Sequence, residues 1–266
     1  MNTILLIILS LVLLAVIIGV IVYFVNREGY KNNNSNFPKN IWIFWDKGWT
    51  NAPEICKLCL DSWKIYNPTW KIHILDKQNI YNYLPKQFLD ELWTKNQIQT
   101  QSDILRLNLL KKYGGIWVDA TLYCNQSLDD WIYEYLNTTN FFVFQFLNDK
   151  RMISSWFIAS TNDNYLINKF CNSYNSFWKN RTKSNDYFNC HHNFVTLYNT
   201  DKKFKKLFDS IKKFDTEYPH QIQFKFRNEI TTSEKEILNN INNEKVPCFK
   251  LNRNTNLLHY SLFEEL

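Results

Sequence analysis

Apolar residues run from Ile4 to Val25 without a charge, a stretch of about 22 positions that is long enough for a helix to cross a bilayer core. From Asn40 the pattern changes to short aromatic and β-branched runs separated by segments with helical spacing. NIWIFW, Asn40 to Trp45, predicts a strand closed by Asp46-Lys47-Gly48. Asn51-x-x-Glu54 is a capping-box pattern with Pro53 in the first turn, and it opens a helix carried by Ile55, Cys59, Trp63 and Tyr66. Asn67-Pro68 breaks that helix. Trp70 to Leu75 then sets Trp70, Ile72 and Ile74 against Lys71 and His73, which predicts a second strand ending at Asp76. Further helix is expected between Asn79 and Ile98. This β-α-β order predicts an α/β fold with a mostly parallel sheet, which gathers ligands at the carboxyl ends of its strands, where Trp45, Asp46 and Asp76 lie.

The densest pattern is Gln101 to Cys124, QSDILRLNLLKKYGGIWVDATLYC. Ser102 reads as an N-cap, Asp103 to Lys112 as a helix, Gly114 and Gly115 as its stop, and Ile116-Trp117-Val118 as a strand ending in Asp119. Ten helical residues rise about 15 Å, and strand residues at about 3.3 Å each carry the chain back, so Asp119 returns toward the helix start. Asp103 and Arg106 share a helical face at that end, where the helix dipole attracts anions. Singly, such residues are usually a surface ion pair and a turn cap. Together, two carboxylates and a guanidinium suit a polyhydroxylated, phosphorylated ligand. Beyond this stretch, Leu128 to Leu136 reads as a helix, Phe141 to Leu147 and Met152 to Ala159 as strands, and Asn164 to Trp178 as a helix.

The ordered set SD-x-x-R, helix, Tyr-Gly-Gly, strand and terminal Asp resembles the sugar-binding DXD region of retaining GT-A glycosyltransferases. The likeness is closest to the capsular polysaccharide synthesis proteins, related to glycosyltransferase family 32, and covers residues 37 to 186 best. It implies a Rossmann-like GT-A domain that moves a hexose from a nucleotide-diphosphate sugar to a hydroxyl of a glycan or glycolipid, with retention. In that scheme Asp103 and Arg106 hold donor-sugar hydroxyls and Asp119 contacts ribose or metal. Trp45 stacks on the base, with Asp46 and Asp76 beside it. Ser154, Ser155 and Trp156 line the donor pocket, and Asp186 faces the acceptor. Apart from the resemblance, Tyr187 and Phe188 read as core and His191 and His192 as surface residues. A divalent cation, Mn²⁺ or Mg²⁺, would be held by Asp119, Thr121, His259 and Ser261. The motif here reads Asp119-Ala120-Thr121, so a neutral hydroxyl replaces the second acid, which weakens the hold on a hard cation.

The predicted organisation is an N-terminal tip at 1–3, a membrane anchor at 4–25, a flexible stem at 26–37 and one domain at 38–266. A single-pass membrane protein follows. Arg27, Lys31 and Lys39 after the span favour a cytosolic body, although secretory glycosyltransferases are often anchored the other way, with the body in the lumen. Sequons at Asn33, Asn125, Asn137 and Asn180 do not decide the side, since a chain this rich in Asn yields about four by chance. A net charge of +6 suits an anionic donor or membrane surface. No basic block interleaved with aromatics points to nucleic acid. Cys56-x-x-Cys59 lies in a helical pattern and reads as core, not as a zinc or redox site. Two other classes remain open: a catalytically inactive nucleotide-sugar or glycan-binding scaffold anchored in a membrane, and, with less in its favour, a glycoside hydrolase built on two carboxylates.

Overall fold

Glycine and proline mark several element boundaries up to β3 in the computed structural model, which describes residues 3–33, 36–93, 96–179, 181, 184 and 186–254. In chain order these are α1 (Thr3–Asn33), β1 (Asn40–Phe44), α2 (Glu54–Tyr66), β2 (Lys71–Leu75), α3 (Lys86–Leu92), α4 (Ile98–Tyr113), β3 (Gly115–Asp119), β4 (Leu122–Cys124), α5 (Leu128–Leu136), β5 (Phe141–Gln145) and β6 (Ile153–Ser160). There follow α6 (Tyr165–Lys179), α7 (Asn189–Thr200), α8 (Lys202–Asp209), α9 (Glu217–Phe226), α10 (Glu234–Asn243) and β7 (Cys248–Lys250).

The main sheet has the order β2-β1-β3-β6-β5. β1 pairs in parallel with β2 and β3, and β6 is antiparallel to both β3 and β5, so β6 alone runs against the other strands. The result is an α/β fold with a mixed sheet in which one direction dominates. Phe44 at the end of β1 pairs with Asp119 at the end of β3, and β6 starts at this same edge. A separate antiparallel ribbon joins β4 to β7, with Leu122 opposite Lys250 and Cys124 opposite Cys248.

The helix α4 is buried almost all round, from Thr100 to Leu110, because it lies between the sheet and α6. It begins at Ile98, a full turn before the expected start, and Gln97 occupies the cap position. Ser102 is therefore interior to the helix, and the dipole end is displaced from Asp103. The predicted capping box also does not form: Pro53 caps α2 without a side-chain hydrogen bond, while Asn51 closes a single 3-10 turn. In β2 the buried face is the opposite of the one the alternation predicts. His73 and Leu75 point inward, and Ile74 is exposed. β2 is an edge strand, and the His73 ring stacks on Trp42 at 3.9 Å while bonding Asn40 and Tyr83, so its polar atoms are satisfied inside.

At the N-terminus the apolar window Ile8–Val25 is long and hydrophobic enough to cross a membrane. The helix continues through Asn33, where the sequence predicts a flexible stem. The six cysteines are all buried and unbridged.

Gly114 and Gly115 have φ of 66° and 99°, which reverses the chain between α4 and β3. A Cβ on Gly115 would sit 2.4 Å from the Asn40 carbonyl oxygen, against the backbone of β1. A Cβ on Gly48, also at positive φ, meets nothing within 4 Å. Gly115→Ala therefore has to move β1 as well as strain its own backbone, and should cost about 3 kcal/mol or more against about 1 for Gly48→Ala. Thermal melts of the two variants check this: equal losses would show that the β1 contact is not rigid.

Candidate active site

The site grows from the fact that α4, though buried, carries charge. Arg106 is 4% exposed, so its charge needs partners; its two terminal nitrogens have them, and Nε has none among the described residues. Nη1 donates to the Ser155 carbonyl at 2.7 Å and lies 2.9 Å from Asp103 Oδ1. Nη2 donates to Asp119 Oδ1 at 3.1 Å and to Ser102 Oγ at 3.0 Å. The guanidinium also sits over the Trp117 ring, 5.2 Å from its centroid. Asp103, Arg106 and, 13 positions further on, Asp119 thus meet at the carboxyl end of β3, beside the tip of β1.

Asp119 has a second cation. Lys250 Nζ lies 3.3 Å from its Oδ2 and donates to Thr121 Oγ1 at 2.6 Å. The β4–β7 ribbon fixes this contact, and the Leu251 N–H adds a bond to the Thr121 carbonyl. Nothing in the sequence around Lys250 marks it. It lies 131 positions from Asp119, and its three-residue strand has no pattern of its own.

The remaining expected residues separate into those near the cluster and those engaged elsewhere. Trp45 follows β1 directly and is half-buried, and its indole N–H has no partner among the described residues. Asp46 is 3.9 Å from Lys77. Asp76 accepts from the N–H groups of Gln78 and Asn79, so its carboxylate closes the turn after β2. Ser155 reaches Arg106 through its carbonyl. Ser154 and Trp156 are directed into packed regions instead: Ser154 shares a 2.5 Å hydrogen bond with Thr216, and Trp156 stacks on Phe144 at 4.8 Å. Asp186 accepts from the Phe188 N–H and pairs with exposed His192 at the start of α7. One turn on, Asn189 accepts from Tyr174, whose hydroxyl is 3.5 Å from Asp103, and Cys190 bonds Asp103 directly. Tyr187 is 69% exposed and Phe188 is also exposed, so neither is core, whereas His191 is partly buried, and burial first, then Arg106 and Arg151, lowers it to about 4. His259 and Ser261 lie outside the described residues.

No group of three or more His, Cys, Asp or Glu side chains suited to a metal occurs among the described residues. Both oxygens of Asp119 already face cations, and the Thr121 hydroxyl accepts from one of them. Asp119 and Thr121, the described members of the expected donor set, do not by themselves fit a divalent ion.

The two carboxylates are driven apart in acidity. Burial raises Asp103, Arg106 offsets only part of that, and neighbouring Asp119 raises it further, to about 6. Burial would also raise Asp119, but Lys250 and Arg106 outweigh it and hold it at about 2. The cluster is a charged, partly open site on an α/β sheet, of the kind that binds anionic or polyhydroxylated molecules. The chain belongs to the capsular polysaccharide synthesis protein family, whose model matches residues 19–264.

Among curated proteins it is 26% identical to the O-glycosyltransferase braB of Annulohypoxylon truncatum over 162 residues, 54% of this chain and 38% of that protein. It is 32% identical to the glycosyltransferase afumC of Aspergillus fumigatus over 112 residues, 38% of this chain and 29% of that one. The matches thus span well under half of each relative. A solved structure, the PaToxG glycosyltransferase, overlays with a TM-score of 0.45 and 19% identity, covering 71% of this chain and 83% of its own.

A stability measurement tests the cluster's electrostatics. A group whose pKa is raised on folding loses stability as pH rises through the window between its unfolded value near 4 and its folded value of about 6. Wild type carries that loss at Asp103, while Asp103→Asn does not. The stability of Asp103→Asn relative to wild type should therefore increase between pH 4 and 7, by up to about 3 kcal/mol. Denaturant unfolding at a series of pH values reads this directly, and a pH-independent difference would refute the assignment. Asp119 has the opposite sign: its contribution holds above pH 4 and is lost toward pH 2.

Proposed function

We propose that this protein is a retaining glycosyltransferase of the GT-A type, moving a hexose from a nucleotide-diphosphate sugar to a hydroxyl of a glycan or glycolipid. The observation that supports it most is Arg106 bound to both Asp103 and Asp119 at the carboxyl ends of the parallel strands, with Lys250 alongside. Membership of the capsular polysaccharide synthesis family and relatives named as glycosyltransferases point the same way.

In this reading Asp103 and Asp119 accept hydrogen bonds from sugar or ribose hydroxyls, and Arg106 holds both carboxylates in register. Trp45, at the tip of β1, offers a ring face to the base. The bond between the anomeric carbon and the β-phosphate oxygen breaks, and its electron pair goes to that oxygen. The acceptor hydroxyl forms the new bond on the same face and passes its proton to the departing diphosphate, so no separate protein base is required. The apolar helix α1 would hold the domain at a membrane, which favours a membrane-proximal acceptor.

The test is a panel of nucleotide-diphosphate sugars incubated with the full chain in detergent, with released nucleoside diphosphate measured by mass spectrometry and water as the default acceptor. One donor should be hydrolysed slowly. Asp119→Asn and Arg106→Lys should each lower that rate about 100-fold, the usual cost of removing one group that stabilises developing charge. A chain that binds a donor but turns over none would be the inactive scaffold.

A further inference from the structure

We infer that Lys250 is the built-in cation of this site, giving the leaving diphosphate the positive charge that a two-acid motif would obtain by recruiting a divalent metal ion. The inference rests on the transferase reading above and adds to it the residue that neutralises the leaving group.

Three observations converge on it. Lys250 is placed by backbone pairing, not by a flexible reach: it stands opposite Leu122 in the β4–β7 ribbon, and its side chain is only 16% exposed. Its ammonium bridges Asp119 Oδ2 and Thr121 Oγ1, the two side chains that flank Ala120 and correspond to the first and last positions of the motif. These are the two side chains that the motif would offer to a metal. Finally, the charges balance. Two acids with a divalent ion sum to zero, and one acid with one lysine sums to the same. With Thr121 where a second acid would stand, Lys250 thus leaves the same local charge.

An entering divalent ion would have to displace Lys250 from one oxygen of Asp119 and share the other with Arg106. Like charges this close in a partly buried site repel strongly. An ammonium has three N–H donors, and the bonds to Asp119 and Thr121 use two. The third is the one that would meet a phosphate oxygen. During transfer the lysine keeps its proton throughout, and the electron pair from the broken glycosyl bond settles on the phosphate oxygen it faces.

The experiment uses the full chain and whichever donor it hydrolyses. In EDTA, wild type should retain most of its rate, Lys250→Met should fall about 100-fold, and Lys250→Arg should recover a large part of that loss. Thermal melts establish that the Met variant is folded, as the ribbon's backbone bonds predict. Nucleoside diphosphate binding, measured calorimetrically in EDTA, should weaken in Lys250→Met and not in Lys250→Arg. Loss of wild-type turnover in EDTA, or a Lys250→Met rate within about threefold of wild type, overturns the inference and leaves the transferase reading standing. Failure of wild type to turn over any donor, with or without Mn²⁺, removes both.

Discussion

The structure depends on keeping one buried guanidinium partnered at both of its terminal nitrogens. α4 is enclosed by the sheet and by α6, yet Arg106 sits in its middle. An unpaired charge there would cost several kcal/mol, so the surrounding elements must each contribute an acceptor. Asp103 and Ser102 come from the same helix, Asp119 from the end of β3, and the Ser155 carbonyl from the start of β6. The interaction therefore joins the helix to two strands of opposite direction. Its geometry is determined by the sheet.

That sheet explains why the cluster is where it is. β1 and β3 run in parallel and end together at Phe44 and Asp119, which leaves Trp45 and Asp119 side by side at one edge. Because β6 is antiparallel, its first residues arrive at the edge the others are leaving, bringing Ser155 to Arg106. The β4–β7 ribbon then folds the far end of the chain over the site. The continuous stretch from α4 through β3 to β4 thus meets β6 and β7, which lie much further along the chain, and this is how α/β folds assemble sites from strand ends.

How much of this was legible in the sequence follows from how local each signal is. The reversal at Gly114-Gly115 was readable because glycine pairs between a helix and a β-branched run have few other uses, and the meeting of Asp103, Arg106 and Asp119 followed from simple rise per residue. The start of α4 was misread because Ser102 looks like a cap, although its hydroxyl serves Arg106 from within the helix. The buried face of β2 was misread because His73 counts as polar in a periodicity argument, while stacking on Trp42 and two hydrogen bonds make it a core residue. Asp76 and Ser154 carry suitable groups that local turns and packing consume. Lys250 was invisible, since a long-range ribbon pairing leaves no local pattern to read.

The opposed acidities of the two carboxylates follow from the same arrangement. Asp119 lies between Arg106 and Lys250, which hold it at about 2, whereas Asp103 is deeper, is offset among the described residues by Arg106 alone, and is pushed up by burial to about 6. Arg106 therefore always has a permanent partner in Asp119 and a conditional one in Asp103. When ionised, Asp103 can only accept hydrogen bonds; when protonated, it can also donate one. Pairs of acids whose surroundings push them apart in this way are how one site holds both a fixed charge and an adjustable group. Here the fixed charge is the one that Lys250 and Arg106 enclose, and the adjustable one faces Tyr174 and Cys190 on the helices that cover α4. Asp119 and Lys250 are thus the more exposed members of the cluster, while Arg106 and the titrating Asp103 lie deeper.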